Sequence, residues 1–430
     1  MLKINPLSTL YVGIDVSSKS NYVCALDFFK NKYINSSFAN NQPGAEELAL
    51  KILECLNQHP DLTMVVAALE STSVYSIHIA NYLSSCEELM RFKPYVFVLN
   101  PKCTANYKKS YIGLGKSDPI DAFVIADYAR AGNIESEPWR GQFLALKRLT
   151  RHRLHLVECM TREKTYLISN LYLKFSELQM LEGDDQPFCD IYGATSSSVL
   201  MEYLSPEEIL ASSEEDLIAF LAEKSRNRIK DISKTADLLK KAARDSYRLD
   251  KSLYEPLNVS IASSFNCIET FKREIKVIDN AIEKEIKGLN PNAFIILQSI
   301  DGIGPVFAGG IIAEIGDITA FHSSDALAKY AGLTWKSNQS GDFDGEDTPM
   351  IKAGNRYLRY YLGEAANSMR KHNVEYGAYY RKKYNEVPKH QHKRALALTS
   401  RKFVRLVYGL LARNQLYSGV SLDTSIKDSN

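Results

Sequence analysis

The sequence has no CxxC pair, and its seven cysteines are scattered and odd in number. That excludes a disulfide framework and a cysteine-based structural zinc site as the organising device, and it suits reduced thiols in a cytoplasm. No apolar run is long enough to span a membrane, and Met1–Val16 lacks the apolar core of a signal peptide, so a cytoplasmic chain without membrane attachment is expected. No helix-turn-helix or zinc-finger pattern is visible. Gly-rich phosphate loops are missing too: VSSKS and ESTSV are poor substitutes, which counts against a sugar-kinase or actin-like ATPase, whose fold also opens with a strand ending in Asp. At 430 residues the chain is too long for one ordinary core, and two or three domains are expected.

The net charge of +2 is uninformative, but its distribution is not. Lys352–Arg413 holds fifteen Lys and Arg against three Glu and no Asp, and Arg91–Lys116 holds six against no acid. Local excess of this kind is the footprint of a polyanion partner, or a solvated surface. The C-terminal stretch is interleaved with Tyr357, Tyr360, Tyr361, Tyr376, Tyr379, Tyr380 and Tyr384.

The first 130 residues read as an α/β unit. Tyr11–Val16, Asn21–Leu26 and Tyr33–Phe38 read as strands, and Gly44–Asn57 as a helix. Thr63–Leu69 is an apolar strand covered on both faces, followed by a helix over Tyr75–Ser84 and a strand over Tyr95–Leu99. Asp118–Arg130 reads as a helix with Asp118 as N-cap, Pro119 at the first helical position, and an apolar face of Ile120, Phe123, Val124 and Tyr128. The result is a mixed sheet with helices on its faces. Asp15 and Glu70 then fall at strand ends, and Asp118 and Asp121 share a face at a helix start. The last two also serve as plain helix chemistry, since negative charge suits that end of the dipole. In open α/β sheets, however, the carboxyl ends of strands gather the ligand site. Four carboxylates converging there need a counter-charge, and oxygen-only ligation favours Mg²⁺ or Mn²⁺. Metal-assisted phosphoryl transfer of the ribonuclease H-like kind is the chemistry such a set performs.

Gln142–Leu181 reads as one long helix, with Leu149, Leu156, Met160, Leu167 and Leu171 in coiled-coil spacing; Ile268, Phe271, Ile275, Ile278 and Ile282 form a second seam. Two long helices packed as a hairpin, pairing with a partner subunit, and core packing within one subunit all fit. Gly183–Asp250 is polar and helix-rich, with a helix start at Ser205–Glu208, and His152 with His155 has no third ligand. Beyond Pro291, two apolar helical segments are joined by Gly302-Ile303-Gly304-Pro305. This is a helix-hairpin-helix-like pattern whose backbone N–H groups suit a phosphate, or a tight helix connection with no ligand. Ser340-Gly341 lies in a polar loop followed by Lys352, Arg356 and Arg359. A loop serine is usually a turn residue; cationic neighbours can make one a nucleophile.

GIDVSSK (Gly13–Lys19), LESTSVY (Leu69–Tyr75) and the run Val98–Arg130, together with the GIGP segment and the block Ala331–Ala366, resemble the DEDD-type transposases of insertion sequences, the IS110 family. The resemblance covers about two thirds of the chain, in the family's order. It implies a RuvC-like, ribonuclease H-fold catalytic domain over 1–140, a helical coiled-coil linker region with an insert over 141–290, and a mostly helical serine-nucleophile transposase domain over 291–430. It places the metal ligands on Asp15, Glu70, Asp118 and Asp121, and the nucleophile that forms a phosphoserine link to DNA on Ser340; Ser337, the nearby rival, lacks the following Gly. Lys116, Gly302, Gly304, Lys352, Arg356 and Arg359 are the expected nucleic-acid contacts. Mg²⁺, with Mn²⁺ possible, is the implied cofactor. Donor DNA, target DNA and a noncoding RNA bridging them are the implied partners, acting on a dimer and a tetrameric synapse whose composite site draws on two subunits. The setting is a prokaryotic cytoplasm, at the nucleoid. Departures from the family are Ser73, where a Gly is frequent after the Glu; Asp301 and Trp335, where Pro is frequent; and the acidic run Asp342–Asp347. A hydrolytic RuvC-like nuclease (a junction resolvase) and an inactive RNA- or DNA-binding descendant are the alternatives.

Overall fold

The computed structural model describes residues 4–132, 134, 138–139, 141–335, 339–340, 343–344 and 350–419, of which 339–340 and 343–344 are described by their backbone. The chain divides into two compact units, Met1–Leu144 with Asp317–His322, and Ala145–Gly316 with Ser323–Asn430.

The first unit is built on a five-stranded sheet. Its elements are β1 (Thr9–Val16), β2 (Ser20–Leu26), β3 (Lys32–Ala39), α1 (Gln42–Gln58), β4 (Met64–Glu70), α2 (Tyr75–Ser85), β5 (Tyr95–Leu99), α3 (Pro101–Lys108) and α4 (Asp118–Arg130). The order across the sheet is β3-β2-β1-β4-β5. β1 to β3 form an antiparallel meander, whereas β1, β4 and β5 run parallel, with Ile14 opposite Leu69 and Glu70 opposite Leu99. Side chains alternate across a strand, so each strand serves two cores. Leu10, Val12, Ile14 and Val16 pack with Val65, Ala67 and Leu69 against Leu48, Ile52 and Leu56 of α1 and Ile79 and Leu83 of α2. Tyr11, Val66, Ala68, Phe97 and Leu99 face the other way, against Ala122, Ile125, Ala126 and Ala129 of α4. Burial on both faces explains the nearly unbroken apolar character of β1 and β4.

Two details of α4 differ from expectation. The N-cap is Ser117, in extended conformation, because its carbonyl accepts the first helical bonds from Ile120 and Asp121; Asp118 is the first helical residue. The buried face is the small-residue stripe Ala122, Ile125, Ala126 and Ala129, with Val124, while Phe123 and Tyr128 are only half-buried. α3 is an element the apolar pattern misses. Its signal is Asn100-Pro101: the Asn100 side chain accepts from the Lys102 N–H, and Pro101 opens the helix.

The second unit is helical. α5 (Leu144–Lys174), α6 (Ala194–Glu202), α7 (Pro206–Ala211), α8 (Glu214–Ser225), α9 (Ile232–Asp245) and α10 (Lys251–Leu289) precede α11 (Pro291–Gln298), α12 (Pro305–Ile315) and α13 (Ser324–Ala331). The short strands β6 (Thr334–Trp335), β7 (Gln339–Ser340), β8 (Phe343–Asp344) and β9 (Met350–Ile351) follow, then α14 (Arg356–His372), α15 (Val374–Asn385) and α16 (Gln391–Arg413). α5 stops at Lys174 and not near Leu181. Lys174 is buried with its ammonium donating to the Leu200 carbonyl at 2.7 Å, and Phe175 leaves helical geometry. Of the first seam only Leu167 and Leu171 are buried. They join Leu217, Leu221, Leu239, Ile261, Phe265 and Ile268 in one core, so the α6–α9 insert packs on this helix end. In the first half of α5 the buried stripe is Leu146, Thr150 and Leu154, and Leu149, Leu156 and Met160 are half-buried. The expected boundary at Pro291 lies within this unit, at the N-terminus of α11. Among the described residues no helix is long and apolar enough to cross a membrane.

Candidate active site

Strand alternation and one close contact bring the four acidic residues of the first unit to one edge. Along β1, Tyr11, Gly13 and Asp15 share the face that meets α4; along β4, Val66, Ala68 and Glu70 do the same. The paired Ile14 and Leu69 precede Asp15 and Glu70, so the two carboxylates leave neighbouring parallel strands at the same level. α4 lies directly on Gly13. A Cβ there would overlap the Ala122 carbonyl oxygen and the Ala126 backbone nitrogen, so only glycine admits the helix. That contact sets the start of α4, and with it Asp118 and Asp121, beside Asp15.

The electrostatics register the crowding. The Asp15 carboxyl is pushed up to about 6, first by burial, then by the charges of Asp121, Asp118 and Glu70, with Lys108 opposing. α3 supplies the present counter-groups. Lys108 Nζ sits 2.5 Å from Asp121 Oδ1, and the Thr104 hydroxyl donates to Glu70 Oε1. Among the described residues no three Asp, Glu, His or Cys side chains close tightly enough to enclose an ion. With Glu70 drawn to Thr104 and Asp121 to Lys108, the acids are held by their own partners. The donor set is all carboxylate oxygen, which matches a hard divalent cation and not a soft one. Beyond β4 the chain turns sharply: Ser73 has φ 53, in the left-handed region that favours glycine.

Six residues beyond Asp121 on the same helix lies a carboxylate that sequence reasoning missed. Asp127 is fully buried. It accepts from Tyr107 at 2.8 Å, from the Tyr111 hydroxyl, and from Arg130 Nε at 2.6 Å, with Lys30 Nζ at 3.2 Å. Burial opposes its charge, but Tyr111, Arg130, Tyr107 and Lys30 outweigh it and hold the carboxyl below its usual range. Tyr107 belongs to α3, so this anchor also fixes the helix that carries Thr104 and Lys108.

In the second unit Ser340 is a residue of β7, paired with Phe343 of β8; its side chain lies outside the described residues, as do Ser337, Gly341 and most of the acidic run Asp342–Asp347. Gly302 has φ 89 and packs against Ser368 and His372 of α14, which accounts for glycine there without a ligand. Gly304 is the N-cap of α12, uses no side-chain cap, and has open space at its α-carbon. Lys116, Lys352 and Arg356 are exposed. Arg359 is committed to the fold, donating to the carbonyls of Ala331 at 3.0 Å and Lys352 at 3.1 Å. Of the tyrosines among the C-terminal basic residues, Tyr361, Tyr376 and Tyr380 are core residues, and the Tyr361 hydroxyl donates to the Thr150 carbonyl at 2.7 Å.

A second buried carboxylate, also missed, steadies this region. Glu314 of α12 takes a bidentate pair from Arg151 at 2.7 and 2.8 Å and a bond from the Asn355 side-chain amide at 2.7 Å. Asn355 in turn caps α14 through the N–H groups of Tyr357 and Leu358. The chain that returns from β9 is thereby fixed to the helical core.

A family model for DEDD transposases of the IS110 type matches residues 12–176, and one described as the transposase IS116/IS110/IS902 family matches residues 295–381. The "Insertion element IS116 uncharacterized 44.8 kDa protein" of Streptomyces clavuligerus is 24% identical over 429 residues, spanning 95% of this chain and 96% of its own length. The "Insertion element IS900 uncharacterized 42 kDa protein" of Mycobacterium paratuberculosis is 25% identical over 414 residues, spanning 95% and 97%. The pilin gene-inverting protein of Moraxella lacunata is 27% identical over 160 residues, which is 37% of this chain and 46% of that protein. Fold, acidic edge and matched segments define a DNA-processing enzyme of the transposase class. Within that class the chain belongs to the IS110-type DEDD transposases of insertion sequences.

Proposed function

We propose that this transposase cuts and rejoins DNA through a serine nucleophile and an acidic metal site, guided by a noncoding RNA that bridges donor and target DNA. The observation that carries the reading is the environment of Asp15, whose carboxyl is pushed up to about 6 first by burial and then by three further carboxylates beside it. A cluster so unfavourable by itself is how proteins prepare for a divalent cation. Mg²⁺, or Mn²⁺, held by Asp15, Glu70, Asp118 and Asp121 would supply Lewis-acid charge to a scissile phosphate. The strand order β3-β2-β1-β4-β5, with a meander followed by parallel strands, supports a ribonuclease H-like, RuvC-type catalytic domain over residues 1–140.

Ser340 is the proposed nucleophile of the 291–430 domain. Its Oγ attacks phosphorus; one P–O bond of the DNA breaks as the phosphoserine ester forms, and the serine proton ends on the freed strand hydroxyl. A hydroxyl of the second DNA reverses the exchange, so the bond energy is conserved and no nucleotide cofactor is consumed. The likeness to a gene-inverting protein supports a reaction that rejoins what it breaks. Exposed Lys116, Lys352 and Arg356, and the open N-terminus of α12 at Gly304, suit backbone phosphates, which position a nucleic acid without reading it. Base pairing with the RNA carries the sequence information. Two copies of the chain per DNA, and four in the synapse, complete the proposal.

The test is to trap the covalent intermediate. Purified protein, RNA transcribed from the flanks of its gene, and labelled donor DNA are incubated with Mg²⁺ and run on a denaturing gel. A shifted protein–DNA band that disappears in Ser340→Ala and in Asp118→Ala is expected. Free cleavage products that persist in Ser340→Ala would instead identify a hydrolytic RuvC-type nuclease.

A further inference from the structure

We propose that the second unit holds a pocket for a single unpaired nucleotide, formed by Trp335, Tyr379, Leu398, Arg401, Lys402 and Arg405. The inference rests on the nucleic-acid-processing role above and adds to it a site outside the expected nucleic-acid contacts.

The pocket follows from the periodicity of α16. Leu398, Arg401, Lys402 and Arg405 are spaced three, four and seven residues apart, so they form one stripe of the helix. Ala395, Thr399, Phe403, Val404 and Val407 form the buried stripe. No acid occurs anywhere in Gln391–Arg413. α15 brings Tyr379 to the basic stripe, and β6 brings Trp335, closing an open cavity of about 440 Å³. That volume is within the range of small-ligand sites, roughly 300–1,000 Å³.

The walls are preorganised. Lys402 Nζ lies 4.8 Å from the ring centres of both Tyr376 and Tyr379 and 2.5 Å from Glu375 Oε1. Arg401 is held by Asp325 at 2.5 Å and by the Ser324 carbonyl at 3.3 Å, which leaves its side chain only 15% exposed. Arg405 is exposed. An indole, a phenol ring and the exposed Arg405 guanidinium match two parts of one ligand, beside Arg401 and Lys402, which Asp325 and Glu375 already hold in place. A nucleobase stacks on the aromatic faces, and its phosphate meets Arg405. A base in a duplex shows only its edges, so the ligand must be unpaired. Trp335 precedes Ser340 by five residues, a reach of at most about 18 Å along the chain. A nucleotide gripped there would be held within a short span of the proposed nucleophile.

The chain has only two tryptophans, so in the full-length Trp139→Phe protein emission reports Trp335 alone. Because Trp139 Nε1 bonds Asn81 at 2.6 Å, the difference between wild type and Trp335→Phe provides the same readout if that variant folds poorly. Without divalent cation, ten-nucleotide oligothymidylate and oligouridylate are titrated against a blunt duplex of equal length. Saturable quenching is expected with single strands, about tenfold tighter than with duplex, and weakened about tenfold by Tyr379→Leu and by Arg405→Glu. A preference between the two oligonucleotides tells whether DNA or RNA supplies the nucleotide. Absence of quenching, equal quenching by duplex, or indifference to Arg405→Glu would overturn the pocket. Quenching that survives while Ser340→Ala fails to abolish a covalent band leaves the pocket standing and removes the serine mechanism. A covalent band with no Trp335 response does the reverse.

Discussion

Asp121 and Asp127 lie six residues apart on one helix, and they are opposite uses of the same side chain. Asp127 is buried and saturated: two tyrosine hydroxyls, an arginine and a lysine surround it, and it is held ionised. Asp121 is half-buried and has Lys108 as its ion-pair partner, while its charge helps to push its neighbour Asp15 upward. The difference is one of intent. A carboxylate whose lone pairs are filled by the protein is part of the scaffold. The carboxylates around Asp15 are instead crowded against one another, and burial together with the charges of Asp121, Asp118 and Glu70 opposes the charge of Asp15. The two are coupled, because the Asp127 anchor holds Tyr107, and Tyr107 shares α3 with the residues that bond Glu70 and Asp121.

The comparison can be broken most severely at the buried end. Asp127→Ala leaves Arg130 and Lys30 without their partner and is expected to cost the first unit about 3–5 kcal/mol. Chemical denaturation followed by Trp139 emission in a Trp335→Phe background measures it. Asp118→Asn in the same assay should leave stability unchanged or slightly raised, yet abolish strand transfer; equal losses from both would erase the distinction. Gly13→Ala comes next. Its methyl meets backbone atoms of α4, which cannot rotate away, and about 1–3 kcal/mol is expected. Hydrogen exchange should rise in α4 and β1 while the second unit is unaffected.

A smaller effect has a definite sign. Asp15 holds its proton more tightly in the folded chain than in the unfolded one, at about 6 against the ordinary 3.8. The folded state therefore binds the extra proton between those values, and stability falls as pH rises through that window. In chelator, Asp15→Asn should stabilise the first unit at pH 7 by about 1–2 kcal/mol, after allowance for solvent screening, and by nothing near pH 4. A pH-independent difference would show that burial and the neighbouring acids do not raise the Asp15 carboxyl. Smallest is Thr104→Val, expected to cost about 0.5–1.5 kcal/mol in the same denaturation assay by freeing Glu70 from its hydroxyl partner.

The second unit repeats the scaffold half of this contrast. Glu314 is buried and satisfied by Arg151 and Asn355, and Arg151 is held above its ordinary value by that carboxylate despite burial. Arg359 is a cation that local sequence casts as a nucleic-acid contact and that the fold uses to tie two carbonyls. Charge patterning along the chain does not distinguish these roles, because a guanidinium turned inward and one turned outward have the same local sequence. The same holds for the tyrosines: Tyr376 and Tyr380 face the core, while Tyr379 lines the α16 pocket, one residue from Tyr380 in sequence and on another face of the helix.

Much of the first unit was legible. Apolar runs with Gly, Asn and Pro punctuation mark β1 to β5 and α4 within a residue or two, and the acidic residues at Asp15, Glu70 and Asp118 follow from where those runs end. α3 was not, since Pro101–Lys108 has a single buried residue, Thr104, and so no periodic signal. The end of α5 is not legible, because apolar residues continue past Lys174 in helical spacing, and only the packing of the α6–α9 insert ends the helix there.

By itself the sequence determined the strand and helix types, a mixed sheet that opens with a meander, the placement of four acids at element ends, and a basic C-terminal third, all of which depend on local periodicity and turn chemistry. Tertiary structure alone decided which carboxylates are crowded and which are satisfied. It brought α3 over the acidic edge, let α4 rest on Gly13, and sorted the C-terminal cations into ties and a pocket. Those outcomes depend on contacts between residues far apart in the chain, where burial and hydrogen-bond saturation, not residue type, set what a charged side chain does.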